Sequence, residues 1–119
     1  MLTAMLLVGV QLAAVQPSNC LGGDADDNQR FACAEANYRG TDALLNEVYA
    51  ATLQKYQAYD DIVRRLRESH ASFLKWRESS CPVKSTPDTE VSYRAIKLQC
   101  MANMNRLEMK ALQEDRPLP

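Results

Sequence analysis

An all-α fold, a compact antiparallel bundle of about three helices stapled by two disulfides, is what this 119-residue chain predicts. Three observations carry the expectation. Apolar residues recur at intervals of three and four along three long segments, with no useful stretch of strand-like alternation. The cysteines are four, Cys20, Cys33, Cys81 and Cys100, an even number with no CxxC among them. They follow an apolar leader without a charged side chain, the setting in which disulfides persist.

The leader comes first. Residues 1–15 are mostly apolar and too few to cross a bilayer as a helix of about 20 residues. A secretory signal peptide over residues 1–16 is expected, cleaved soon after Ala13 and Ala14, with a buried N-terminal helix as the alternative. No Lys or Arg precedes the apolar core, which points to a start further upstream, and Leu12 stands where a small residue is preferred. Pro17, Ser18 and Asn19 lack the small residue expected just before a lipidated cysteine, which argues against a lipoprotein. The expected location is the periplasm or the exterior, with no integral membrane span after cleavage. Residues 17–113 then form one domain and residues 114–119 a tail.

After a Gly/Asp/Asn-rich loop, a first helix begins near Asn28, with Tyr38, Thr41, Leu45, Val48, Thr52, Tyr56 and Tyr59 on one face and a kink expected at Gly40. Asp60 and Asp61 read as a second helix start, where carboxylates favour the positive end and cap free N–H groups. Asp60/Arg64, Asp61/Arg65 and Arg64/Glu68 are spaced as i,i+4 pairs, which accounts for the Arg64, Arg65 and Arg67 cluster without an anion site. That helix carries Ile62, Leu66, His70, Phe73 and Arg77 down one side, with Trp76 beside them, and stops at Cys81-Pro82. A polar loop over residues 82–89 leads to a third helix from about Glu90, whose apolar set includes Val91, Ala95, Leu98, Met101 and Leu112.

The net charge of −1 hides an asymmetry: residues 24–61 carry eight acids against three bases, and the remainder seven against eleven. Two halves packing through complementary faces explain this, and an acidic face for a basic partner is the functional alternative. No basic cluster is interleaved with aromatics, so nucleic acid is not an expected partner. The single histidine, His70, sits on an apolar stripe and reads as a satisfied, partly buried residue. A Cys–His nucleophile would need a free thiolate. The cysteine gaps of 12, 47 and 18 residues do not cluster metal ligands, and no glycine-rich phosphate loop exists. No catalytic residue, metal or cofactor is expected.

Four cysteines allow three connectivities. Cys20–Cys33 with Cys81–Cys100 is favoured, the first folding the leading loop onto helix one and the second holding residues 82–89 as a rigid surface, while crossed pairings stay open. A loop so restrained loses less entropy on binding.

The residues also resemble a family. Asn28-Gln29 leading to Cys33, then Asp42, Leu45, Asn46 and Tyr49, then Phe73, Trp76, Arg77 and Cys81, and finally Cys100 with Leu112 are similar to the LprI-like family of small exported bacterial domains named for a lysozyme inhibitor. The likeness spans about residues 20–113. His70 departs from a usual glutamine, Phe73 and Trp76 from Trp and Tyr, and Glu108 from a frequent arginine. The resemblance implies an exported, non-catalytic helical domain whose partner is a lysozyme-like hydrolase, blocked by steric occlusion of its cleft. A periplasmic immunity protein against a dedicated toxin and a structural envelope protein are the alternatives.

Within the family pattern, Asp42 and Arg77 are expected to form a helix-to-helix ion pair with Asn46 bonding nearby backbone, and Tyr49, Phe73 and Trp76 to lie in the core. The expected partner-binding residues are Asp24, Asp26 and Asp27, which would steer a basic target, and Lys84, Asp88 and Glu90 in and beside the disulfide-held loop. Lys84 would approach the cleft carboxylates.

Overall fold

The computed structural model of the protein describes Cys20 and residues 25–81 and 90–114. The proposed leader over residues 1–16, most of the loop that follows it, residues 82–89 and most of the C-terminal tail lie outside them.

Three helices account for the described chain: α1 (Asp27–Lys55), α2 (Asp60–Ser80) and α3 (Glu90–Gln113). A capping box opens α1. The Asp26 carboxylate accepts from the Gln29 amide at 2.8 Å, and the Gln29 side chain accepts from the Asp26 amide at 2.9 Å. The helix runs through Gly40 and buries Ala34, Asn37, Thr41 and Leu45, a stripe at intervals of three and four. It closes at Tyr56, whose amide donates to the Thr52 carbonyl, while the Gln57 amide donates to that of Gln54.

Tyr59 precedes α2 and offers no side-chain cap, so Asp60 and Asp61 act there through their charge in the first turn rather than as caps. Leu66, Phe73 and Arg77 are the buried residues of α2. The chain leaves it at Cys81, immediately before Pro82. Helix α3 buries Ala95, Gln99, Met101, Ala102, Met104 and Asn105.

Cross-helix contacts fix the directions. Asn37 meets Gln99 and Thr41 meets Asn105, so α1 and α3 run parallel. Asp42 meets Arg77 and Tyr49 meets His70, so α2 runs antiparallel to α1. The result is an up–down–up bundle in which α1 and α3 share the long seam and α2 joins α3 mainly through its C-terminal end.

Each disulfide lies in its own apolar cluster. Cys20–Cys33 sits with Ala34 and Ala95, flanked by Phe31 and Leu98. Cys81–Cys100 sits with Leu45, Phe73, Met101 and Met104, flanked by Tyr38, Met109 and Leu112. The pairing is the consecutive one, and no cysteine is free.

Four details differ from the sequence reading. Tyr59 lies past the end of α1 and is 60% exposed, because the helix stops at Lys55 and its stripe stops with it. Trp76 is 56% exposed, one helical position away from the buried Arg77, so the aromatic beside the stripe faces out. Arg64 pairs with Glu68 at 3.9 Å as expected, but its other partner is Asp61 at 3.5 Å, and the expected Asp60/Arg64 and Asp61/Arg65 pairs do not form among the described residues. Asn46 is exposed and makes no backbone bond among the described residues; the asparagine that serves the hub is Asn105.

Candidate functional site

The densest chemistry in the molecule gathers around Arg77. Its position in the last turn of α2 suits a cation, and the apolar period turns it inward until it is 8% exposed. One guanidinium nitrogen, Nη1, donates to Asp42 Oδ1 at 2.9 Å and to Asn105 Oδ1 at 2.8 Å. Asn105 in turn donates to the Thr41 hydroxyl oxygen at 3.2 Å, and that hydroxyl donates to the Tyr38 carbonyl at 3.1 Å. The guanidinium carbon lies 5.4 Å from the Tyr38 ring centroid and 5.8 Å from that of Phe73, within cation–π range. Arginine Nε is buried without a hydrogen-bond partner.

One side chain thus touches all three helices. A neutral replacement would strand Asp42 and Asn105 together, and charge-assisted bonds of this kind are the strong ones. Burial pushes the Tyr38 phenol above its ordinary value, with Arg77 acting against that rise. The arrangement ties the three helices together.

A second polar contact lies nearer the first disulfide. The Asn37 amide donates to Gln99 Oε1 at 3.3 Å, and Gln99 donates to Asn103 Oδ1 at 3.1 Å. Sequence reasoning missed Asn37, Gln99 and Asn105 as buried residues. The signal was present in α3, where Ala95, Gln99, Ala102 and Asn105 repeat with helical spacing, a mixed small and polar stripe.

An aromatic line crosses from α1 to the surface of α2. Tyr49 stacks on His70 with centroids 3.9 Å apart, His70 follows Phe73 at 6.3 Å, and Phe73 meets Trp76 at 6.5 Å in a tilted contact. Tyr49 is half-buried and Phe73 buried, whereas Trp76 is the outward end. His70 is not the satisfied histidine expected, since its Nδ1 is buried with no partner. Burial first, and the Arg77 charge second, hold its imidazole below the ordinary value.

Of the expected partner-binding residues, Asp24, Lys84 and Asp88 lie outside the described residues. Asp26 is exposed but occupied as the α1 cap, and Asp27 bonds Arg30 at 3.3 Å. Glu90 is exposed at the start of α3. Because α1 and α3 are parallel, these helix starts lie at one end of the bundle, the end nearer the Cys20–Cys33 disulfide, while Cys81–Cys100 sits about 15 Å further along α3. Among the described residues no three His, Cys, Asp or Glu converge to hold a metal ion, and no helix is long and apolar enough to cross a membrane.

The family model described as lysozyme inhibitor LprI matches residues 20–112. The chain belongs to the LprI family. The match begins at the first cysteine and ends within the last turns of α3, so it spans both disulfides, the Arg77 hub and the aromatic line. Within this LprI chain Asp42, Leu45, Phe73, Arg77, Cys81 and Cys100 are brought together, whereas Asn46 and Trp76 face outward. Neither a curated protein nor a solved structure matches the chain.

Proposed function

We propose that this protein is an exported, non-catalytic binding protein that inhibits a lysozyme-type peptidoglycan hydrolase by covering its cleft. The observation that carries this reading is the family match over residues 20–112. The architecture agrees with it: the charged and polar groups of the interior are engaged in holding helices, and two disulfides suit an oxidising compartment. The periplasm or the exterior is the proposed location, residues 1–16 the proposed leader, and residues 17–113 the proposed domain.

Asp26 and Asp27, with Glu90 at the same end, and Asp24 just before them in sequence would draw a basic hydrolase toward the bundle. Lys84 and Asp88, in the sequence between α2 and α3, would add contacts. Such steering acts mainly on association rate and weakens with salt.

The test is to titrate the exported, oxidised protein into egg-white lysozyme and a panel of other lysozymes, reading cell-wall lysis and binding together. Saturable inhibition with a sub-micromolar constant is the expected outcome. A folded, disulfide-bonded protein that binds none of them would end this reading and direct the search to a dedicated toxin or an envelope partner.

A further inference from the structure

We propose that the contact face is one flank of α2, with Trp76 as the anchor and Arg65 and Lys75 as its cations, and that its occupant is the carboxylate-lined cleft of the hydrolase. This rests on the inhibitor reading and names the surface that would carry it. Trp76 is 56% exposed, although its ring leans on the buried Phe73 at 6.5 Å. The next residue is the Arg77 hub, and Cys81 of the second disulfide follows within about one turn. The indole is therefore presented from backbone fixed on its C-terminal side, which lowers the entropy lost on docking.

A single exposed aromatic is ordinary on a protein surface. The charges beside it supply the second observation. Helix α2 carries the cations Arg64, Arg65, Arg67, Lys75 and Arg77. Arg77 is held by Asp42, and Arg64 bonds both Asp61 and Glu68. Among the acids of this helix, Glu78 is drawn to Lys97 of α3 at 3.8 Å. Arg65, Arg67 and Lys75 are exposed and make no ion pair among the described residues.

Helical spacing divides these three. Arg65, Ser72 and Trp76 fall at intervals of seven and four, hence on one flank, and Lys75, next to Trp76 in sequence, stands about 100° round the helix at that flank's outward edge. Arg67 points to the other flank, where its charge acts on Tyr49. The short side chains of Ser72 and Ser79 border Trp76 on this flank, where the indole, Arg65 and Lys75 project beside Glu68, whose charge Arg64 offsets. From Arg65 to Trp76 the helix rises about 16 Å.

That strip complements a glycoside-hydrolase cleft. Such a cleft holds two carboxyl groups about 5–10 Å apart and is shaped to take sugar rings. An indole entering it would occupy a sugar subsite, with Lys75 beside it approaching the cleft carboxyls and Arg65, about 15 Å along the helix, meeting the rim. Aromatic residues flanked by cations are the usual dominant anchors of protein interfaces. The acidic end of the bundle would then steer, and the α2 flank would bind.

Two variants test this against the lysozyme that the parent protein inhibits best: Trp76→Ala, and the double reversal Arg65→Glu with Lys75→Glu. All three residues are exposed, so the urea midpoints are expected to match the parent. The inhibition constant is expected to rise about 30-fold for Trp76→Ala and at least about 10-fold for the double reversal. Leu107→Ala, which trims a 65%-exposed side chain on α3, is expected to leave it within about twofold. Folded variants of both kinds that inhibit like the parent would overturn the α2 surface and leave the inhibitor reading standing. A parent protein that inhibits and binds no lysozyme would overturn both.

Discussion

Along the α1–α3 seam the chain sets small and polar side chains, Asn37 by Gln99, Thr41 by Asn105, and Ala34 and Ala95 in one cluster. Helix α2 reaches the same pair of helices through large groups: Phe73, Arg77 and the Cys81 half of a disulfide. Small residues let two backbones lie close over many turns, so the seam's stability is spread along its length. Large residues fasten α2 at a few strong points near its C-terminal end, with the Tyr49–His70 stack and the Leu66 side chain further back. The first arrangement should tolerate single losses; the second should not.

The largest expected effect therefore lies at Arg77. Replacing it with methionine would leave Asp42 and Asn105 facing each other without the cation, a loss of about 3 kcal/mol in urea unfolding. Equal stability of Arg77→Met and the parent would show that α2 is held by apolar contact alone.

Next come the two disulfides. Their sequence separations of 13 and 19 predict nearly equal chain-entropy contributions, about 3 kcal/mol each. Their structural consequences should differ. Paired alanine replacement of Cys81 and Cys100 is expected to speed amide exchange along α2 well before global unfolding, whereas the Cys20/Cys33 pair should loosen only the start of α1. Uniform exchange changes in both variants would remove the distinction between seam and attachment.

A smaller effect is expected at the α1 cap. Asp26→Ala breaks the capping box and should lower stability by about 1 kcal/mol, with Asp26→Asn recovering most of it. This variant also separates stability from steering at one of the proposed acidic contacts.

The smallest effects are those of pH. The folded chain holds His70 below its ordinary value, so within that window the unfolded chain binds the extra proton. Stability is then expected to fall as pH drops through the imidazole range, and His70→Gln should flatten that fall. Burial raises Glu108 instead, so the folded chain binds more protons and stability falls as pH rises above the ordinary carboxylate range. Glu108→Gln should raise the melting temperature at neutral pH and leave it unchanged near pH 4.

Helix number, order and approximate limits were legible because their signals are local. The onset of the period near Asn28, the Asp60-Asp61 pair and Cys81-Pro82 mark ends wherever the chain later packs, whereas the Asp26 cap was not read. The Asp42–Arg77 pair was legible only through the resemblance, since 35 residues separate its members. Asn105 and Gln99 were not read as buried, because a polar residue within an apolar period fits either face until its partner on another helix is known. Trp76 shows the converse: at one residue from Arg77 it lies about 100° around the helix, and periodicity leaves the edge of a stripe undecided. The satisfied state expected of His70 failed for a similar reason, since periodicity places the ring on the buried side without showing what meets its Nδ1.

The two cross-links follow one another along the chain, neither enclosing nor crossing the other. A polypeptide that meets an oxidant N-terminus first closes Cys20 onto Cys33 while residues 81 and 100 are still behind it. When those arrive, each has one remaining thiol to find. Order of emergence alone thus produces the native pairs, with no mispaired intermediate to be reshuffled by thiol–disulfide exchange. Maturation on this route calls for an oxidase and has no need of an isomerase.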